Sequence, residues 1–355
     1  MLVETAQSAY DARMNKHLWP LFAVFLTACA PATPEPVIVG QTMGTTYNIR
    51  FSGCPQDDCS DHLSNLISTK LSEMNQRLSH FDETSELSQF NLHAGKDWFP
   101  VSSELVNIVA MANEISARTD GAFDITVAGA VDAWGFGAAD HGRNSQREPN
   151  EKTLEAARAA TNYKQLNVRS SPPALSKTDP LLSIDLSAIA KGYAVDQIAF
   201  LLEEYGIRNY VVEIGGELRT AGTRADGKPW RIGIEQPDPT LPIEFIIIPR
   251  NAAVATSGDY RNFYMLDEHR ISHTIDPVTA RPVSNDLASV SVITPSAAQA
   301  DALATALMVL GAERGHEFAR AQNIAALFIT RVNSQTGETL RSQMTPAFEP
   351  WLLKH

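Results

Sequence analysis

The sequence predicts a mixed α+β domain, and two observations carry that prediction. Runs with the two-residue alternation of strands interleave with runs of helical period, and no internal repeat organises them. In addition, 355 residues with 44% hydrophobic content can bury a substantial core.

Helical patterns cover residues 60–78, 102–119, 151–160, 188–205, 296–310 and 312–321. Strand patterns cover residues 45–51, 181–185, 210–214, 230–236, 245–249, 253–256, 288–293 and 325–330. Pro- and Gly-rich polar stretches at 138–149, 170–180 and 236–242 read as surface loops.

The first residues read as a targeting segment. Lys16 and His17 precede an apolar run over 18–30 that is too short to span a bilayer and ends in Leu26-Thr-Ala-Cys29. That box looks like a bacterial lipoprotein cleavage site with Cys29 as the lipidated residue. Residues 1–13 carry both charge signs and no apolar core, so the expected translation start is Met14. The competing reading, a buried N-terminal helix, is weakened by Pro20 and by the Pro/Ala/Thr-rich linker at 30–36. The expected organisation is therefore a signal segment (1–29), a linker (30–36) and a single domain (37–355), exported, lipid-anchored and facing the periplasm, at the inner membrane.

A formal net charge of −12 and the lack of any Lys/Arg run argue against a nucleic-acid partner. With Cys29 lipidated, Cys54 and Cys59 are the only remaining thiols; an oxidising compartment makes a disulfide between them plausible, and two free thiols remain the alternative. The chain has no G-x-G-x-x-G, no Walker loop, no G-x-S-x-G and no H-E-x-x-H.

Two segments carry chemistry. Ser183-Ile-Asp-Leu-Ser-Ala-Ile-Ala-Lys191 drives an apolar run into a helix, and helix N-termini offer free N–H groups and partial positive charge to anions. The plainer reading is that Asp185 or Ser187 caps a helix starting near Ala188. Downstream, Ser296 caps an almost wholly apolar helix ending at Gly311, with Asp301 and Thr305 four apart on one face. A buried carboxylate needs a cation. An all-oxygen set suits Mg²⁺, which shares its coordination with phosphates, whereas Arg or Lys would make a structural salt bridge.

These residues belong to an ordered series. Met43-Gly-Thr-Thr-Tyr47, Ser79-His-Phe81 with Ser85-Glu-Leu, Gly121-Ala-Phe-Asp-Ile-Thr126, Asp185-Leu with Ala190-Lys-Gly-Tyr, Glu213-Ile-Gly-Gly216, Thr256-Ser-Gly-Asp-Tyr260, His273-Thr-Ile-Asp-Pro277 and Ala300-Asp-Ala-Leu-Ala-Thr305 together resemble the ApbE family, the FAD:protein FMN transferases, across residues 37–330. The resemblance implies a T-fold-like core. It further implies FAD contacts at Met43, Phe81, Ala122, Phe123, Asp124, Asp185, Lys191, Gly216, Ser257 and Ile275, and Mg²⁺ ligands at Asp301, Thr305 and the Ala188 carbonyl. Without it, Met43 and Phe81 read as core residues and Gly215-Gly216 as a turn. In the His273 motif, either His273 or Asp276 could serve as the base, or Asp276 could orient His273.

The expected function is Mg²⁺-dependent transfer of the FMN moiety of FAD to a Thr or Ser hydroxyl of an acceptor protein, with release of AMP. By resemblance, the acceptors are flavoprotein subunits of membrane redox complexes. The alternatives are an FAD pyrophosphatase giving FMN and AMP, and a non-catalytic flavin-binding lipoprotein. Cys29→Ser is expected to move the protein from the membrane to the soluble fraction. Unchanged sedimentation, or mature protein that keeps residues before Cys29, would show that this cysteine is not the anchor.

Overall fold

In the computed structural model the described residues are 35–54, 59–138, 148–238, 240–260, 262–267, 269–334 and 337–354. The expected leader and anchor (Met14, Cys29), most of the linker and part of the 138–149 loop lie outside them. Eight strands form one sheet: β1 (Val37–Thr42), β2 (Thr45–Ser52), β3 (Asn209–Ile214), β4 (Glu217–Ala221), β5 (Ala253–Gly258), β6 (Leu287–Thr294), β7 (Ala325–Ser334) and β8 (Gly337–Met344). Their order across the sheet is their order in the chain. Every neighbouring pair is antiparallel.

Among the described residues seven α-helices accompany the sheet: α1 (Cys59–Leu78), α2 (Glu86–Leu92), α3 (Ser103–Arg118), α4 (Ala128–Ala133), α5 (Glu151–Ala160), α6 (Ala190–Glu204) and α7 (Ala297–Ala321). Strand alternation gives the sheet two apolar faces. Val212, Ile214, Val290, Val292, Ala326 and Phe328 join the large core with residues of α1, α6 and α7. Leu218, Val254, Ile293 and Leu327 form a smaller core with Ile234, Ile247 and Phe348. The mixed α+β expectation holds.

Several local expectations differ from the structure. Residues 181–185 make no sheet strand, because side chains take up their backbone groups: Ile184 N–H donates to Asn91 Oδ1 at 2.8 Å, and Asn91 Nδ2 donates to the Ile184 carbonyl at 2.9 Å. Lys177, fully buried, donates to the Asn91 and Leu182 carbonyls, and burial holds its ammonium below the usual lysine range. Part of the expected 170–180 loop is a strand, Pro173–Lys177, paired with Leu166–Ser170. The 230–236 pattern yields only Ile232–Ile234. By contrast, α7 breaks at Gly311, with φ of 76° and ψ of 177°, into two helical segments, as the 296–310 and 312–321 patterns predict. Cys54 and Cys59 form a disulfide.

Helices α6 and α7 meet very closely. A Cβ on Gly192 would land on the Ala297 carbonyl, so glycine is required there by contact. Asp196, about one turn farther along α6, accepts the Ala297 and Ala298 N–H groups at 3.0 and 3.1 Å and the Ser296 hydroxyl at 2.7 Å. It therefore caps α7 from a neighbouring helix, and Arg219 of β4 pairs with it at 2.9 Å. Gly192→Ala should separate the two helices and destabilise the protein by about 1–3 kcal/mol, read as a lower urea midpoint. An unchanged midpoint would mean that the junction is loosely packed.

Candidate active site at the α6–α7 junction

Two tight hairpins stand side by side at one end of the sheet. The β1–β2 turn is Met43-Gly44, with φ of 49° and 72°, the pattern of a two-residue turn with both central residues left-handed. A methionine in that region is unusual for a side chain that glycine or asparagine normally replaces. Its side chain lies partly buried against the core. The β3–β4 turn is Gly215-Gly216, with φ of 63° and 106°. Gly215 N–H reaches the Thr46 carbonyl at 3.0 Å, which joins the two hairpins. A Cβ on Gly215 would come within 2.9 Å of Thr45 Cγ2 and 3.2 Å of Lys191 Cδ. Gly216 N–H donates to Glu213 Oε1 at 2.7 Å.

Lys191 opens α6, and its head lies among three oxygens. Nζ is 3.4 Å from Glu217 Oε1 and 3.9 Å from Asp301 Oδ2, and it donates to the Ser187 carbonyl at 3.3 Å. Asp301 and Glu217 are only 3% and 5% exposed. Burial pushes both carboxyls above their usual range against the pull of Lys191. Burial also works against the Lys191 ammonium, but Asp301 and Glu217 outweigh it and hold it above the usual lysine range. Glu217 was not singled out in the sequence; the available signal was an acid at the inward end of the strand-like run after Gly215-Gly216.

The start of α6 is shaped for an oxygen ligand. Asp185 Oδ1 accepts the Ser187 N–H and hydroxyl at 2.8 and 2.6 Å, which closes a turn ahead of the helix. The helix proper begins at Ala190 with Ile189 as its N-cap and no side-chain cap, two residues later than expected. Gly192 N–H is one of the first-turn amides that have no acceptor within the helix, and it donates to Asp301 Oδ2 at 3.0 Å. The Ala188 carbonyl precedes Ile189, whose carbonyl is the first intrahelical acceptor, from Tyr193 N–H. One turn along α7 from Asp301, Thr305 Oγ1 lies 3.2 Å from Ser257 Oγ on β5. Carboxylate, hydroxyl and carbonyl oxygens with no nitrogen or sulfur suit Mg²⁺.

The other expected contacts divide into two groups. Phe81, 49% exposed, stacks on His80 with ring centroids 3.9 Å apart, and His80 Nδ1 lies 3.3 Å from Asp185 Oδ1. Ala122 and Phe123 are buried beside the junction, where Asp185 N–H meets the Ile125 carbonyl at 2.7 Å. Asp124 spends both carboxylate oxygens internally, Oδ1 on Thr126 N–H and hydroxyl and Oδ2 on Tyr163 N–H. Ile275 packs with Trp134 and Ala280 in a separate small core.

His273 follows the hairpin of Phe263–Leu266 and His269–Ser272. Its Nδ1 meets the Asn262 carbonyl at 2.9 Å; a carbonyl only accepts, so Nδ1 carries the proton and Nε2 keeps its lone pair. Burial lowers its pKa, and the Lys191 and Asp185 charges both act on it, which sets it in the electrostatic reach of the junction. Asp276 instead accepts Val278 N–H at 2.8 Å and shapes its own turn. The Asn262 carbonyl, not Asp276, orients the histidine.

A helix N-terminus facing a buried Lys–Glu–Asp cluster offers an anionic ligand backbone amides and a fixed positive charge. The ApbE family model matches residues 43–328. The FAD:protein FMN transferase of Vibrio cholerae is 41% identical over 332 residues, which cover 93% of this chain and 97% of that protein. The Escherichia coli protein of the same name is 37% identical, covering 91% and 90%. The structure of the Vibrio cholerae flavin transferase ApbE superposes with a TM-score of 0.81, covering 90% of this chain and 99% of that one. The apo Pseudomonas stutzeri flavinyl transferase ApbE gives the same score at 35% identity, covering 90% and 96%. The chain belongs to the ApbE family.

The raised carboxyls fix a pH dependence. Folded Asp301 and Glu217 hold protons that the unfolded chain releases from about pH 4, so without metal stability falls as pH rises through that window, while Lys191 stays charged in both states. Asp301→Asn should flatten that decline, and in chelator at pH 8 it should melt at or above wild type. A loss of roughly 3–5 kcal/mol would instead make Asp301 the structural partner of Lys191.

Proposed function

We propose that this protein transfers the FMN moiety of FAD to a Thr or Ser hydroxyl of an acceptor protein and releases AMP. The observation that carries the site reading is the convergence of the first-turn Gly192 amide and the Lys191 ammonium on the buried Asp301 carboxylate at the start of α6. The family and its full-length relatives carry the flavin chemistry.

Asp301, Thr305 and the Ala188 carbonyl would hold Mg²⁺, which when bound neutralises charge developing on the pyrophosphate. Lys191 supplies a fixed positive charge at the start of α6, where the helix dipole has the same sign. Met43 and Phe81 offer apolar surface to the flavin, and the Gly215-Gly216 turn lets backbone approach the ligand without a side chain in the way. His273 takes the proton of the attacking hydroxyl at Nε2. The new bond joins the acceptor oxygen to the FMN-side phosphorus, and the bridging oxygen leaves with AMP. A lipid anchor at Cys29 would hold the enzyme on the periplasmic side of the inner membrane, within reach of flavoprotein subunits of membrane redox complexes.

His273→Ala should still bind FAD but transfer FMN more slowly by about 10² to 10⁴-fold, while Asp276→Asn should transfer at close to the wild-type rate. Mass spectrometry of a co-expressed acceptor reads the FMN adduct. FMN and AMP accumulating equally fast with and without acceptor would make the protein a pyrophosphatase, and unimpaired transfer by His273→Ala would remove the histidine from the reaction.

A further inference from the structure

The cluster at the α6–α7 junction contains two acids and one base, so it reaches charge balance only with a shared proton or a further cation. Glu217 is the acid that the metal reading leaves unexplained. It is the first residue of β4, almost fully buried; Oε1 faces the Lys191 ammonium at 3.4 Å, and Oε2 has no hydrogen-bond partner among the described residues. A buried carboxylate oxygen without a partner is costly, and a native structure retains one for a reason.

The local construction ties Glu217 to Lys191 more firmly than to anything else. The Gly215 backbone lies against the Lys191 stem, and Glu217 emerges from the same hairpin two residues later. One turn therefore packs the stem of the lysine and grips its head. Asp301 is the more distant carboxylate, at 3.9 Å from Nζ, and it already accepts the Gly192 N–H.

We propose, on the metal reading of Asp301, that Glu217 is a positioning residue that holds the Lys191 ammonium so that Asp301 stays available to the metal. Lys191 is an internal competitor for the carboxylate that binds the cation. Without Glu217, Asp301 is the only carboxylate within 4 Å of the ammonium among the described residues, and a cation must displace the ammonium before it can bind. With Glu217 in place, Lys191 keeps a partner when metal arrives and remains aimed at the anion site.

The test measures metal affinity alone, without FAD. Mn²⁺ is titrated by electron paramagnetic resonance, with Mg²⁺ as competitor, on purified wild type, Glu217→Gln, Glu217→Asp, Lys191→Met, the Glu217→Gln/Lys191→Met double variant and Asp301→Asn; melts in chelator check each fold. Glu217→Gln should bind metal about tenfold more weakly, in the range of couplings between contacting residues. Glu217→Asp, which keeps the charge, should lose less. The double variant should bind as well as Lys191→Met alone, because the competitor has gone. Undiminished affinity in Glu217→Gln overturns the proposal. So does a loss that persists in the double variant, since Glu217 would then be a ligand itself. If Glu217→Gln fails to fold, the double variant against Lys191→Met carries the same comparison. Equal Mn²⁺ binding by wild type and Asp301→Asn would sink the metal reading itself, a different failure from either of these.

Discussion

The hydrogen bond from the Gly192 amide to Asp301 is the interaction on which the rest of the site depends. It takes a first-turn N–H that has no acceptor within its own helix and gives it to a buried side chain on another helix. This is possible only where the two helices nearly touch, and glycine at 192 allows that approach against the Ala297 carbonyl. Asp196 then holds the two helices in register from the α6 side, with three donors of the α7 N-terminus on its carboxylate. Packing, capping and the ligand site thus share one short stretch of α6, and a change to any of them reaches the others. Four residues of α6, from Lys191 to Ala194, hold the cation and the close contact, and Asp196 follows within two.

The sheet contributes by bringing distant segments to one end. Because its eight strands follow chain order, the Met43-Gly44 and Gly215-Gly216 turns become neighbours only through the pairing of β2 with β3, which sets Tyr47 against Ile214. Strand β5 pairs with β4 only at Ala253 and Val254, and its later residues run on past the glycine turn to carry Ser257 to Thr305. No local pattern in the sequence encodes those juxtapositions.

Much of the fold was nonetheless legible. The period of α1, α3 and α5 and the alternation of β2 and β3 come from burial on one face, whereas β6 is buried on both and reads as a strand from its β-branched run. What failed was local hydrogen bonding satisfied by side chains. Residues 181–185 have a strand's composition, yet Asn91 and Lys177 take up their backbone, and no periodicity in 181–185 marks a partner some 90 residues away. Gly311, in contrast, ends the first segment of α7 as glycine commonly does, with Asn285 Nδ2 donating to the Met308 carbonyl at 3.1 Å before the second segment begins. In the site, Asp301 was identifiable because a lone acid in an apolar helix demands a partner. Glu217 was not, because an acid beside a turn ordinarily faces water. Asp276 read as a possible partner for His273 through sequence proximity, whereas its oxygen closes its own Asp-Pro turn.

The overall charge of −12 opposes a substrate that is itself anionic, and the resolution is local. Long-range repulsion among exposed charges is screened beyond about 8–10 Å at physiological salt, whereas the junction charges are buried and act at close range. There the balance is set by Lys191, the helix dipole and whichever cation Asp301 accepts. Two acids around one ammonium make that balance adjustable: the cluster is near neutral with a shared proton and turns positive when a divalent cation replaces it. An all-basic pocket would attract the anion without metal and would bind any phosphate. With two acids around Lys191, the junction instead keeps a charge that can change sign, so its attraction for a phosphate is conditional rather than fixed.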